Sequence, residues 1–114
     1  MGNPSPGTIG SMSRLAQLEK LHATDPTDAD VAYMLAQEHA KAGNTPAAVH
    51  WYDTCLKLDP SYHYAYFHKA KALRADGAVS EAVAVLNAGM AKATRDGNAK
   101  ASSEISAFLF ELEA

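Results

Sequence analysis

The chain has 114 residues, of which 47% are hydrophobic, and a formal net charge of −3 at pH 7. This length suits one domain with a modest core, and the weak acidity argues against a nucleic-acid binder, which normally carries a basic face. A single cysteine permits no internal disulfide, and neither a bilayer-length apolar run nor a secretory signal is present, so we expect a cytoplasmic protein without membrane contacts.

The N-terminal part of the chain divides into a polar segment and a first helix. Residues 1–12 are rich in glycine and proline and offer little to bury, so we predict that they are disordered. Ser13 then predicts the N-cap of a helix. On that helix, Leu15, Leu18 and Leu21 form a narrow apolar stripe at helical spacing.

Two stretches of the chain repeat one another at a fixed offset. This offset equals the number of residues from Pro26 to Pro60. The identities fall on small, turn and helix-stop positions, namely Pro26/Pro60, Ala36/Ala70, Gly43/Gly77, Ala48/Ala82 and Val49/Val83. A period of about 34 residues indicates stacked helical hairpins, none of which can bury its apolar face alone. We therefore divide one domain, residues 13–114, into a half repeat at 13–26, repeats at 27–60 and 61–94, and a capping helix at 98–113.

In the first unit we predict a helix from about residue 28 to residue 42, with an inward ridge formed by Val31, Leu35, Ala36 and His39. Gly43 should end that helix as its left-handed cap. Thr45 and Pro46 are expected as the N-cap and first residue of the second helix, because a proline there loses no hydrogen bond. The buried positions of the second helix are predicted as Ala48, Val49, Tyr52, Cys55 and Leu56. The small residues among these predict a close crossing of the two helices.

The second unit repeats this plan, and two of its residues are unusual. Gly89 lies inside the second helix, where glycine costs about 1 kcal/mol against alanine, so we predict a close approach there by the following helix. Lys69 lies on the inner ridge and is expected to extend its ammonium group outward, with a pairing to Asp53 as the alternative.

The final predicted helix is amphipathic, as a terminal cap must be. Its apolar face is formed by Ile105, Phe108, Leu109 and Leu112, and its opposite face by Glu104, Glu111 and Glu113.

These spacings resemble the tetratricopeptide repeat family, whose pattern sets an aromatic, Leu-Gly, Tyr, Ala, Phe and Pro at fixed intervals. The first unit reads Ala32, Leu35, Ala36, His39, Ala48, Tyr52 and Pro60, and the second reads Tyr66, Lys69, Ala70, Leu73, Ala82 and Leu86. Two positions depart from the pattern, since Ala32 replaces the aromatic and Lys69 replaces a leucine. The resemblance is to small free-standing bacterial members and implies an all-α superhelix of about six helices. The first helices of the pairs would line a concave groove for an extended peptide or a partner's helix.

Groove candidates follow from the helical wheel once the inward residues are removed. They are Tyr33, Gln37, Lys41, Tyr64, Phe67, His68, Lys71 and Arg74. Aromatics beside cations favour a protein or peptide ligand with an apolar anchor and acidic or carboxylate groups. Alternatively, the aromatics pack under the final helix and the cations are merely solvated. Relatives that grip a chaperone's C-terminal carboxylate carry Lys and Asn at the positions of Tyr33 and Gln37, so that clamp is absent here.

We expect neither a cofactor nor catalysis, because the sequence has no phosphate loop and no H-E-x-x-H or G-x-S-x-G motif. His63 and His68 would lie about 140° apart on a helix, a poor arrangement for one metal ion. Cys55 is expected as a small buried hydrophobe. We therefore interpret the chain as a protein–protein interaction module. A self-associating structural module, or a histidine-based metal or enzyme site, stays open as an alternative.

Overall fold

The computed structural model describes residues 13–114 and contains six α-helices and no strand in that range. Their bounds are α1 Arg14–Thr24, α2 Ala29–Lys41, α3 Thr45–Leu58, α4 His63–Ala75, α5 Val79–Arg95 and α6 Ala99–Glu113. The predicted all-α architecture of about six helices is confirmed. The predicted disorder of residues 1–12 lies outside the described residues.

The helices keep the offset of the sequence repeat. The first residues of α2 and α4 are separated by this offset, and so are the first residues of α3 and α5. The last residues of α1 and α3, Thr24 and Leu58, are separated by it as well. α2–α3 and α4–α5 are therefore two equivalent hairpins, and α1 corresponds to the second helix of a hairpin.

Glycine forms the turn inside each hairpin. Gly43 and Gly77 have φ angles of 77° and 82°, a backbone region that L side chains rarely adopt. After the first turn, the Oδ1 atom of Asn44 accepts a hydrogen bond from the backbone N–H of Ala47 at 3.3 Å and caps α3. The prediction of Thr45 as the N-cap is therefore wrong by one residue, because the Asn44 side chain already satisfies the first turn.

The core of the first hairpin consists of small side chains. Ala32 and Ala36 of α2 and Ala48 and Cys55 of α3 are fully buried in one cluster. Small residues at a crossing let helix axes approach to roughly 8–10 Å. The predicted close crossing of these two helices is confirmed.

α1 packs on α2 through only part of its predicted apolar stripe. Leu18 is buried against Val31 and Leu35, and Leu15 packs beside them. Leu21, in contrast, is 53% exposed. The predicted stripe is wrong at this residue, because no helix among the described residues covers that side of α1.

The stack is curved. α2 approaches α4, and α4 approaches α6, so the first helices of successive units form one layer. Within residues 13–114, no Cα atom of α3 lies within 8 Å of a Cα atom of α1 or α5. The layer of α2, α4 and α6 is therefore the tighter, concave side of the stack.

Two predicted helix contacts take a different form in the structure. A Cβ atom placed on Gly89 would lie 2.6 Å from the Cβ atom of Tyr66. The close approach thus comes from α4, the preceding helix, and not from the following one. Lys69 donates from Nζ to Asp53 Oδ1 at 2.6 Å, and its side chain is only 19% exposed. The alternative pairing is the one that forms, because the carboxylate of Asp53 on α3 lies within reach of the lysine.

A polar cluster joins the turn before α4 to the turn before α6. Asn98 caps α6 through Oδ1, so its Nδ2 donates to His63 Nδ1 at 3.1 Å. His63 Nε2 therefore carries the proton and donates to Asp96 Oδ2 at 2.7 Å. Ser61 and Lys92 also donate to Asp96. Hydrogen bonds from His63, then Lys92 and Ser61, hold the pKa of the Asp96 carboxyl well below its usual range.

Candidate functional site

The concave face holds two neighbouring hollows. The first, which we call the α2–α4 hollow, has a volume of about 490 Å³. Gln37 and Lys41 line it from α2, His68 and Lys71 line it from α4, and the buried Tyr52 forms part of its floor. The structure therefore brings together four of the residues predicted for the groove.

The second hollow, the α4–α6 hollow, has a volume of about 430 Å³ and shares Lys71 with the first. Phe67 and Arg74 line it from α4, and Phe108 lines it from α6. The ring centroids of Phe67 and Phe108 are 5.1 Å apart, and the guanidinium carbon of Arg74 lies 5.8 Å from the Phe108 centroid. This hollow therefore combines an aromatic wall with cations.

The α2–α4 hollow carries an excess of positive charge. Glu38 is its one carboxylate, and Oε2 of that residue lies 3.4 Å from Arg14 Nε and 3.0 Å from Lys41 Nζ. Lys71 forms no ion pair with any of residues 13–114. An uncompensated ammonium group between two hollows is suited to a carboxylate of a ligand.

His68 contributes an uncharged ring to the same surface. It lies edge-on to Tyr33, with the ring centroids 5.8 Å apart, and edge-on to Phe67 at 5.3 Å. Burial, and then the positive charge of Lys71, lower the pKa of the His68 imidazole from its ordinary value of about 6.5. The ring is therefore neutral at pH 7 and offers one donor and one acceptor.

Tyr33 and Tyr64 do not line either hollow. Tyr33 is half-buried, and its ring centroid is 4.8 Å from that of Tyr62 and 5.9 Å from that of Tyr52. Tyr64 is also half-buried and donates its hydroxyl to Glu104 Oε1 at 3.2 Å. We correct their assignment as exposed anchors, because both side chains hold neighbouring helices together.

The predicted position of Glu104, on the solvent side of the final helix, is wrong. Glu104 is half-buried and lines the α4–α6 hollow together with Glu111. Residues three and four apart share one side of a helix, so both carboxylates lie next to Phe108. The spacing of these residues can be seen in the sequence. The sequence pattern does not show, however, that this side of α6 faces α4.

Further residues line the two hollows although the sequence pattern assigned none of them to the groove. They are the small Ala72 and Ala107 and the larger Arg14, Glu38 and Phe108. Arg14 lies outside the repeated units, and the periodicity of the final helix assigned Phe108 to the core alone. Only the packing of α1 on α2 brings Arg14 to the concave face, and only the packing of α6 on α4 brings Phe108 there.

The remaining candidates for chemistry are buried or isolated. Burial raises the pKa of the Cys55 thiol to about 12, with the nearby Asp59 as the next cause, so no thiolate forms at neutral pH. Among residues 13–114, no group of three or more His, Cys, Asp and Glu side chains is placed to hold a metal ion. No helix in that same range has the length and apolar character needed to cross a membrane.

Comparisons with known proteins place the fold. A family model described as anaphase-promoting complex, cyclosome, subunit 3 matches residues 14–89, more than half of the chain. The crystal structure of a tetratricopeptide repeat domain protein from Salinibacter ruber is 30% identical, with 75% of this chain and 96% of that chain covered and a TM-score of 0.64. No curated protein matches the chain.

Two more distant structures share the fold. The TPR2B domain of yeast Sti1, solved in a complex with pHsp70, is 23% identical, with 87% of this chain and 79% of that chain covered and a TM-score of 0.79. The Yersinia enterocolitica type III secretion chaperone SycD, in complex with a peptide of the translocator YopD, is 21% identical. That match covers 87% of this chain and 76% of the other, with a TM-score of 0.75.

Proposed function

Because the chain belongs to the family described as anaphase-promoting complex, cyclosome, subunit 3, and with it to the tetratricopeptide repeat proteins, we propose that it is a protein–protein interaction module. It binds an extended peptide or a helix of a partner protein along the concave face of α2, α4 and α6. The Sti1 domain and SycD, which were solved with a pHsp70 and a YopD peptide, support this use of the fold.

The observation that carries the proposal is the position of Lys71. This lysine borders both hollows and has no ion-pair partner in residues 13–114. A ligand that runs from the α2–α4 hollow to the α4–α6 hollow must pass its side chain. The proposed ligand therefore places an acidic side chain or a terminal carboxylate at Lys71, since a charge-assisted hydrogen bond is strongest to such a group.

The apolar part of the ligand would rest in the α4–α6 hollow. Phe67 and Phe108 form one wall there, and the stems of Lys71 and Arg74 form another. A few side chains supply most of the binding energy at typical interfaces, and large aromatic residues and arginine are enriched among them. The cations then orient the ligand and raise its association rate.

We propose that the protein binds a partner and does not catalyse a reaction. The Cys55 thiol is buried, and its raised pKa keeps it protonated. The buried His63 has both ring nitrogens occupied, by Asp96 and Asn98. Neither residue is free to act on a substrate.

The test uses a peptide selected from a displayed library of acidic peptides on the wild-type protein. Its affinity is measured by fluorescence anisotropy with the wild type, with Lys71→Glu, and with Lys57→Glu as the matched control. Lys57 is an exposed lysine on α3 that lines neither hollow. We expect Lys71→Glu to weaken binding at least about tenfold, equivalent to about 1.4 kcal/mol, and the control to bind as the wild type does. Equal affinities of all three proteins would refute the proposal.

A further inference from the structure

The two hollows of the concave face differ in their charges. The α2–α4 hollow is lined by three cations and one carboxylate, namely Arg14, Lys41, Lys71 and Glu38. The α4–α6 hollow is lined by two cations and two carboxylates, namely Lys71, Arg74, Glu104 and Glu111. The first hollow therefore favours negative charge in a ligand, whereas the second offers partners for both signs.

In the α4–α6 hollow the two signs lie on opposite walls. Lys71 and Arg74 belong to α4, and Glu104 and Glu111 belong to α6. Neither of these cations forms an ion pair with a carboxylate anywhere in residues 13–114. The walls therefore carry opposite charges that do not neutralise one another by direct contact.

Both carboxylates of the α6 wall can accept hydrogen bonds from a ligand. Glu104 accepts one bond, from the Tyr64 hydroxyl. Glu111 is exposed and has no ion-pair partner within the described range. A carboxylate accepts at about four sites, so each of them keeps free acceptor capacity toward the hollow.

An entirely acidic ligand would suit only part of this groove. It would satisfy Lys71, but on entering the α4–α6 hollow it would place negative charge beside Glu104 and Glu111, and such like-charge contacts disfavour a partner. An occupant also excludes water from the hollow, and charges interact more strongly where water is excluded. A basic group on the α6 side of the ligand turns this repulsion into an attraction.

The width of the hollow sets the spacing of charges along the ligand. α4 and α6 approach one another directly. The axes of packed helices lie about 8–10 Å apart, and an extended chain advances about 3.3 Å per residue, so it passes from α4 to α6 in about three residues. Between the walls it crosses Phe67 and Phe108, whose ring centroids are 5.1 Å apart.

We infer that the ligand of this groove is an extended segment of mixed charge, in which an acidic and a basic residue flank an apolar one. The acidic residue lies at Lys71, and the apolar residue rests on Phe67 and Phe108. The basic residue meets Glu104 and Glu111, about three positions from the acidic one. The inference rests on the proposed function, since it requires a partner segment in the groove. The order of the charges then fixes the direction in which that segment runs.

The probe is a set of variants of the peptide that is selected for the test of the proposed function. Each position of this peptide carries lysine in one variant and glutamate in another, and fluorescence anisotropy gives the affinity ratio of the two. The ratios are measured with the wild-type protein, with Glu111→Lys, and with Glu113→Lys as the matched control. Glu113 is an exposed glutamate of the same helix that lines neither hollow.

On the wild type, we expect one position about three residues from an acidic residue to prefer lysine over glutamate by about fivefold, the size of a partly exposed ion pair gained together with a repulsion removed. Glu111→Lys should abolish or reverse this preference, and Glu113→Lys should keep it. The inference is overturned by a wild type that prefers lysine at no position, or by a preference that Glu111→Lys leaves unchanged.

Failure of the proposed function gives a different result. In that case the parent peptide binds the wild type and Lys71→Glu equally well, and the inference falls together with the function on which it rests. If Lys71→Glu weakens the parent peptide but no position prefers lysine, the interaction module stands. The ligand is then acidic throughout, and the mixed-charge segment is wrong.

Discussion

Gly89 of α5 lies so close to Tyr66 of α4 that a Cβ atom at position 89 would stand 2.6 Å from the tyrosine Cβ and 2.8 Å from its Cγ. The Cβ atom of the tyrosine is fixed by the backbone of α4, so rotation of the side chain cannot relieve this contact. The distance between α4 and α5 in the second hairpin therefore depends on the absence of a side chain at position 89.

The first prediction concerns Gly89→Ala. Alanine favours an isolated helix by about 1 kcal/mol, but overpacking the contact with Tyr66 costs about 1–3 kcal/mol. We expect a net loss of stability in urea unfolding when Gly89→Ala is made in the wild type, and a smaller loss when it is made in a Tyr66→Gly background, which lacks the opposing Cβ atom. A single variant that is more stable than the wild type would show that α4 and α5 can separate without cost.

The second prediction concerns the attachment of α6 through Tyr64. Tyr64→Phe removes the hydrogen bond to Glu104, and because the side chains are half-buried we expect a loss near the lower end of about 0.5–1.5 kcal/mol. In this variant, amide hydrogen exchange should become faster in α6 and should change less in α2. Glu104→Gln is the control, since it keeps an acceptor oxygen. Unchanged exchange in α6 for Tyr64→Phe would contradict the role assigned to this contact.

The third prediction concerns the pH dependence contributed by Asp96. Its pKa is lowered in the folded protein by hydrogen bonds from His63, Lys92 and Ser61. The carboxylate therefore stabilises the fold fully above its unfolded pKa of about 3.9, and this contribution is lost as the pH falls below that value. The difference in unfolding free energy between the wild type and Asp96→Asn should be largest above about pH 4 and should shrink toward pH 2. A difference that stays constant over that range would show that the carboxylate charge has no part in it.

The fourth prediction concerns His68. Burial is the larger cause of its lowered pKa, and the charge of Lys71 is the second. Lys71→Ala should therefore raise the pKa of His68 but leave it below about 6.5, as followed by an NMR titration of the imidazole signals. No change in this pKa would place the Lys71 ammonium group farther from the ring than the structure does.

The sequence predicted the helices, the glycine turns and the hairpin offset well, because these features depend on local residue chemistry. Gly43 is an example, since its φ angle follows from the turn alone. The orientation of Glu104 and the exposure of Leu21 depend on which helix lies beside them, and helical periodicity does not contain that information. The bond from His63 to Asp96 joins residues on two separate turns, so no local pattern could reveal it.

The candidate site could be predicted only in part, and the reason is the same. The helical wheel correctly assigned Lys71 and Arg74 to the side of α4 that lines the hollows. It could not separate aromatics that line a hollow, such as Phe67, from those that join two helices, such as Tyr33. That distinction is made by the neighbouring helix, and the partner-binding role of all these residues stays a prediction.

Titration of isotope-labelled protein with the selected acidic peptide, followed by backbone amide NMR, tests the central claim most directly. We predict that the perturbed amides cluster on α2, α4 and α6, with the strongest effects around Lys71, and that Lys71→Glu removes them. Perturbations confined to the convex helices α3 and α5, or an unchanged response in Lys71→Glu, would contradict it.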